Sequence, residues 1–193
     1  MGVSVRIANV LKEQGVISEK DIDICKYGLE IIFSSTIEVF SIFLIALLVG
    51  NFVHTFFFFL AFIPLRIYVG GYHASTKLRC YLVSLLVYVL FSTVEGVFPQ
   101  TLYTMFNVLE IVFAMTMVIA FAPIIHFNKN VSVAEKKIYR KKSIKICFVQ
   151  GLLILSMTLW FSNIAEITSF AMGQLAATVA LLSAVIQEKV RKK

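Results

Sequence analysis

Residues 52–65 read FVHTFFFFLAFIPL, an uncharged stretch that closes on Pro64 and Leu65 and meets Arg66 at once. Whether it crosses a bilayer or only dips into it fixes the side on which every later loop lies, since each crossing reverses the next. A helix of this length rises about 21 Å, short of a hydrocarbon core of about 30 Å. Length alone therefore leaves a re-entrant segment open. The other apolar runs are clearer: they cover about 29–49, 80–98, 102–125, 144–162 and 166–186, each near the roughly 20 residues of a membrane helix. With 51–68 they make six candidate spans.

Charge settles what length does not. If all six segments cross and the amino terminus is inside, all 18 Lys and Arg fall on the inner side. Arg6, Lys12, Lys20 and Lys26 precede the first span, and Arg66, Lys77 and Arg79 lie between the second and third. Lys129, Lys136, Lys137, Arg140, Lys141, Lys142 and Lys145 follow the fourth, and Lys189, Arg191, Lys192 and Lys193 follow the last. The connections near Gly50–Asn51, Pro99–Gln100 and Asn163–Ala165 carry none, which is the positive-inside pattern. A re-entrant second segment would destroy this partition. The expected fold class is therefore all-α: a polytopic membrane helix bundle of six transmembrane segments, multi-pass in the cell membrane, with both termini cytoplasmic.

Composition agrees. Of 193 residues, 59% are hydrophobic and 15% charged, against about 25% charged in soluble domains, and the mean hydropathy is +0.88. A soluble enzyme, a disordered chain, a coiled coil and a collagen-like rod are all excluded, and three cysteines are too few for a disulfide scaffold. The net charge of +7 reports topology and contact with anionic lipid, not nucleic acid. The apolar run from Leu29 has no small-residue cleavage site behind it and is expected to remain as an anchor. The chain reads as one domain, 1–193, with N-terminal cytoplasmic or interfacial helices (1–28), a membrane bundle (29–186) and a basic tail (187–193). Val3, Ile7, Val10 and Leu11 share a helical face, so this amphipathic N-terminal region either lies on the membrane surface or packs on the bundle. Ser18, with Glu19 and Asp21 behind it, marks another helix start.

The densest polar constellation is residues 66–80, RIYVGGYHASTKLRC. Gly70 and Gly71 let the chain turn back toward the bundle, and Ser75 or Thr76 can cap the third span. His73 and Cys80 flank that helix start, and a histidine is the usual proton acceptor for a nucleophilic thiol. On one continuous helix residues seven apart have α-carbons about 10.5 Å apart, so the pair can meet only if the loop folds back over the helix end. A reduced packing cysteine is the alternative reading. No further His or Cys completes a metal set, and the glycine pair lacks the lysine of a phosphate loop.

The run Arg66-x4-Gly71-Tyr72-His73-Ala74-x5-Cys80, preceded by Gly70, resembles the signature of the accessory gene regulator protein B (AgrB) family. The later stretch APIIHFNK, residues 122–129, is similar to that family's second conserved region. The resemblance implies a membrane cysteine endopeptidase of Gram-positive quorum sensing, acting on an AgrD-like precursor of a cyclic autoinducing peptide. By motif position Cys80 is then the nucleophile and His73 its base, with Arg66, Gly70, Gly71 and Ser75 structural or substrate-positioning. The resemblance further implies a homodimer and a reaction through a thioester that needs no metal or cofactor.

Ser75, Asn130, Glu135 and Gln150 remain open as the group that orients His73. Lys129, Lys136, Lys137, Arg140, Lys141 and Lys142 orient the chain and are expected to meet anionic headgroups or the acidic tail of the precursor. Glu38, Glu95 and Glu110 lie inside predicted spans, where they either line a polar interior or sit neutral or snorkelling. His54 lies at the outer end, His126 is a reserve base, and Cys25 and Cys147 lack the motif. The rival reading is a noncatalytic membrane adaptor or small transporter, which gives Cys80 and His73 no shared purpose.

Overall fold

The structure is a computed structural model describing residues 3–71, 77–97, 99–124, 132–161 and 165–191, with backbone only at Lys77, Glu95 and Arg191. The described residues are almost wholly helical. In order they form α1 (Val3–Glu13), a 3-10 turn (Glu19–Asp21), α2 (Ile22–Val49), α3 (Phe52–Val69), α4 (Lys77–Val97), a 3-10 turn (Gln100–Leu102), α5 (Tyr103–Phe121), α6 (Val133–Trp160) and α7 (Ala165–Arg191).

The chain divides into two compact units, Met1–Ile45 and Ala46–Lys193. In the first, α1 buries Ser4 and Ala8, and the Ser4 hydroxyl donates to Glu30 Oε1 on α2 at 3.4 Å. Ile7 and Leu11 are half-buried beside them, while Val3 and Val10 stay exposed. Ser18 does open a helix, through the 3-10 turn that feeds directly into α2. Along α2, Ile31, Ile37, Phe40 and Leu44 remain uncovered, as expected of side chains whose solvent is lipid.

The second unit is organised around α7. His54 Nδ1 lies 2.9 Å from Ser169 Oγ, and a Cβ on Gly173 would stand 2.9 Å from the carbonyl carbon of Phe58. α3 and α7 therefore run parallel and cross nearly backbone to backbone, a small-residue approach of the kind that joins helices in lipid. α6 runs antiparallel to α3, with Lys142 over Tyr68 and Gln150 Nε2 donating to Ala61 O at 2.8 Å, and hence to α7, where Gln174 Nε2 donates to Cys147 O at 3.1 Å. α5 closes the group, with Asn107 Nδ2 donating to Thr158 Oγ1 at 3.1 Å. Leu65, Val69, Ala114, Val118, Ala122, Cys147, Ala177 and Leu181 form the apolar core toward one end.

α3 runs unbroken through Pro64 for 18 residues, about 27 Å, so the ambiguous stretch is a helix of spanning length. Among the described residues, five helical segments are long and apolar enough to cross a membrane: Glu19–Val49, Phe52–Val69, Gln100–Phe121, Val133–Trp160 and Ala165–Val190. The sixth expected span falls on α4, whose apolar part, Leu78–Val94, is shorter.

Candidate functional site

Because α3, α5 and α7 run one way and α4 and α6 the other, the end of α3, the start of α4, the end of α5 and the start of α6 share one end of the bundle. α4 is tied to α3 in antiparallel register, with Asn51 Nδ2 donating to Ser92 Oγ at 2.7 Å and the Thr55 and Tyr88 hydroxyls hydrogen-bonded. Carried along the helix, that register sets Cys80 level with Ile63, about one turn from Arg66. Cys80 is half-buried, on the first turn of α4, and all three cysteines are unpaired thiols.

α3 ends where Gly70 takes φ +78° and ψ −158°, a backbone region essentially reserved for glycine. There the chain meets a segment more than 50 residues away: Ile124 N–H donates to Val69 O at 3.0 Å, and Gly70 and Ile124 form a parallel bridge. A Cβ on Gly70 would run into the Ile124 carbonyl, with its carbon at 3.0 Å. At Gly71 (φ +153°) the Arg66 guanidinium occupies the place of a side chain, with Nη2 2.9 Å from where a Cβ would stand. The spacing Arg66-x4-Gly71 thus has a physical reason: a helical arginine folds over the glycine beyond its own helix end. Ile124 follows a cis Ala122–Pro123 peptide bond, and Ala122 is buried.

α6 begins with a complete capping box, in which Ser132 Oγ accepts from Glu135 N–H at 3.2 Å and Glu135 Oε2 accepts from Ser132 N–H at 2.8 Å. The basic residues read as a loop are therefore helical from Val133 onward, 11 residues ahead of the expected span. On that helix they divide. Arg140 reaches back to the end of α5, donating from Nη1 to Ala122 O at 3.1 Å and from Nη2 to Ile119 O at 2.9 Å. Lys142 Nζ sits 5.0 Å from the centre of the Tyr68 ring, which also packs on Tyr139. Arg140 and Lys142 are exposed, as are Lys136, Lys137 and Lys141, and are set apart by these contacts.

Of the expected site residues, the structure brings Arg66, Gly70, Gly71 and Cys80 to one end, together with Arg140 and Lys142. His73, Ser75 and Lys129 lie outside the described residues, as do His126 and Asn130. Two of the groups considered for orienting His73 are committed elsewhere: Glu135 to the α6 cap and Gln150 to Ala61, about 13 Å along α3 from Gly70. His54 stands at the far end of α3. Cys147 is buried and accepts a hydrogen bond from Gln174. Glu110 is 3% exposed and faces the bundle interior, with neither carboxylate oxygen hydrogen-bonded. Among the described residues no group of three or more His, Cys, Asp or Glu is placed to hold a metal. The sequence reading missed the capping role of Arg140; the signal for it was Ser132-x-x-Glu135, which starts the helix early enough to bring Arg140 under α5.

These features define a polytopic membrane protein with a glycine-shaped junction and a thiol at one end of its bundle. The chain belongs to the accessory gene regulator B family, whose model matches residues 4–184. An AgrB-like protein of Listeria monocytogenes is 38% identical over 90 residues, 46% of this chain and 44% of that protein. Protein FsrB of Enterococcus faecalis is 28% identical over 125 residues, 64% of this chain and 52% of that protein. Accessory gene regulator protein B of Staphylococcus carnosus is 26% identical over 132 residues, 67% of this chain and 65% of that protein. The chain thus spans about half the length of the first two relatives. No solved structure matches it.

Proposed function

We propose that this protein is a membrane-embedded cysteine endopeptidase of peptide quorum sensing, with six spans, both termini cytoplasmic and its active site at the cytoplasmic face. The observation that carries the reading is the Gly70–Ile124 pairing, which joins the two family-like motif regions beside the helix start that bears Cys80. Cys80 thiolate attacks the carbonyl between the signal segment and tail of an AgrD-like precursor. His73 accepts the thiol proton and returns it to the departing amine, leaving a thioester. An internal Cys or Ser of the precursor then attacks that thioester, closing a thiolactone or lactone and restoring the thiol. Exchange of acyl bonds keeps the carbonyl activated, whereas water would end it as a linear acid, so the site must hold the acceptor close and exclude water. Lys136, Lys137 and Lys141 offer cations to the acidic tail and to anionic headgroups. The working unit is a homodimer.

Co-expression with a candidate precursor, followed by mass measurement of the released tail and of the ring, tests this. Cys80→Ala and His73→Ala should each abolish release with membrane insertion intact, while Cys25→Ser and Cys147→Ser retain it. Tail release by Cys80→Ala would overturn the mechanism. A product of linear acid alone, with no ring hydrolysis, would remove the cyclisation step.

A further inference from the structure

We propose that Arg140 is a positioning residue for the Cys80 site, acting through the Ala122–Ile124 segment and not through substrate or lipid. An arginine one helix away donates to two carbonyls at the end of α5, Ile119 O and Ala122 O. Those carbonyls have no partner within their own helix, and a planar guanidinium answers two of them at once where an ammonium answers one. The residue two beyond Ala122 is the one that pairs with α3: Ile124 N–H reaches Val69 O and its carbonyl fills the space over Gly70. Gly70 and Gly71 in turn launch the connection to α4, on whose first turn Cys80 stands. Among the described residues, Arg140 therefore holds a tertiary strut that runs from α5 to the glycines where the connection to Cys80 begins. Arg140 is itself exposed, as Lys141 is, but its guanidinium is engaged with the α5 carbonyls, and Arg140 leaves the set of tail-binding cations.

The inference rests on the peptidase reading, and its test separates the two. Arg140→Gln, Arg140→Lys and Lys145→Gln are made in the full chain, reconstituted in vesicles of mixed zwitterionic and anionic lipid. Arg140→Gln should lower kcat for precursor cleavage on the order of 10- to 100-fold, the equivalent of the lost charged donors, with KM within about twofold. Arg140→Lys should recover part of kcat, and Lys145→Gln, an exposed cation on the same helix, should leave kcat unchanged. A second measurement needs no precursor: the pH profile of Cys80 alkylation by iodoacetamide in a Cys25→Ser, Cys147→Ser background. That profile should shift in Arg140→Gln and return toward wild type in Arg140→Lys. An unchanged profile and kcat in correctly inserted Arg140→Gln overturn the proposal, as does a rise in KM alone. If Arg140→Gln fails to insert, Arg140→Lys decides: a lower kcat with KM kept supports positioning, and an unchanged kcat refutes it. If no precursor is cleaved by wild type while alkylation still follows Arg140, the peptidase reading fails and the positioning role stands.

Discussion

Gly70→Ala is the sharpest perturbation the structure offers. At φ +78° and ψ −158°, an alanine pays a backbone strain of about 1–3 kcal/mol. Its methyl also drives into the Ile124 carbonyl, so the Ile124 N–H to Val69 O bond must open, at a further cost of about 0.5–1.5 kcal/mol. Together these come to about 1.5–4.5 kcal/mol, which lowers the population of the closed junction by roughly 10- to 2000-fold. The core packing of Leu65, Val69 and Val118 lies within α3 and α5 and is left in place, so insertion and yield should hold. Initial rates of precursor cleavage in vesicles, normalised to inserted protein, measure the effect. Gly96→Ala is the control, since nothing lies within 4 Å of a Cβ there. Cleavage by Gly70→Ala within about threefold of Gly96→Ala would refute the view that this junction shapes the site.

Gly173→Ala presses a methyl against the Phe58 backbone at the α3–α7 crossing and should destabilise the protein by about 1–3 kcal/mol, read as a lower Tm in detergent. Ser132→Ala removes one half of the α6 capping box and should cost about 1 kcal/mol, with Ser132→Asp close to wild type in the same assay. For the six-span topology, a single reporter cysteine at Gln100 should label from outside intact cells, and one at Lys137 only after permeabilisation. External labelling at Lys137 would reverse the orientation.

Hydropathy made the helices legible because lipid imposes one demand, a run of apolar side chains, wherever a helix crosses. The one-sided charges then resolved Phe52–Leu65 as a crossing, and α3 has the length that reading needs. Local pattern was less well read at α6: Lys136 to Lys142 look like a loop by charge, yet Ser132 and Glu135 cap a helix that carries them. The site was legible only as a list of residues. Gly70 signals a positive φ by its type, but its meeting with Ile124 is tertiary, and no periodicity connects two segments so far apart. Gln150 and Glu110 show the same limit. A polar residue in an apolar run declares itself as unusual, but only the packing tells whether it donates to Ala61 or stays without a partner.

The central place of α7 bears on how the protein is made. Its wholly buried Gln174 donates to Cys147 on α6, so that amide would face hydrocarbon unpaired if α7 entered lipid alone. Its partners α3, α5 and α6 all leave the ribosome first, and they must wait in the bilayer with the groove for α7 unfilled. Assembly of the bundle is then a late event in biogenesis, completed when α7 brings that amide to α6. Damage to that groove, as at the Gly173 crossing, should register first as quality-control loss of the nascent chain and only afterwards as lost activity.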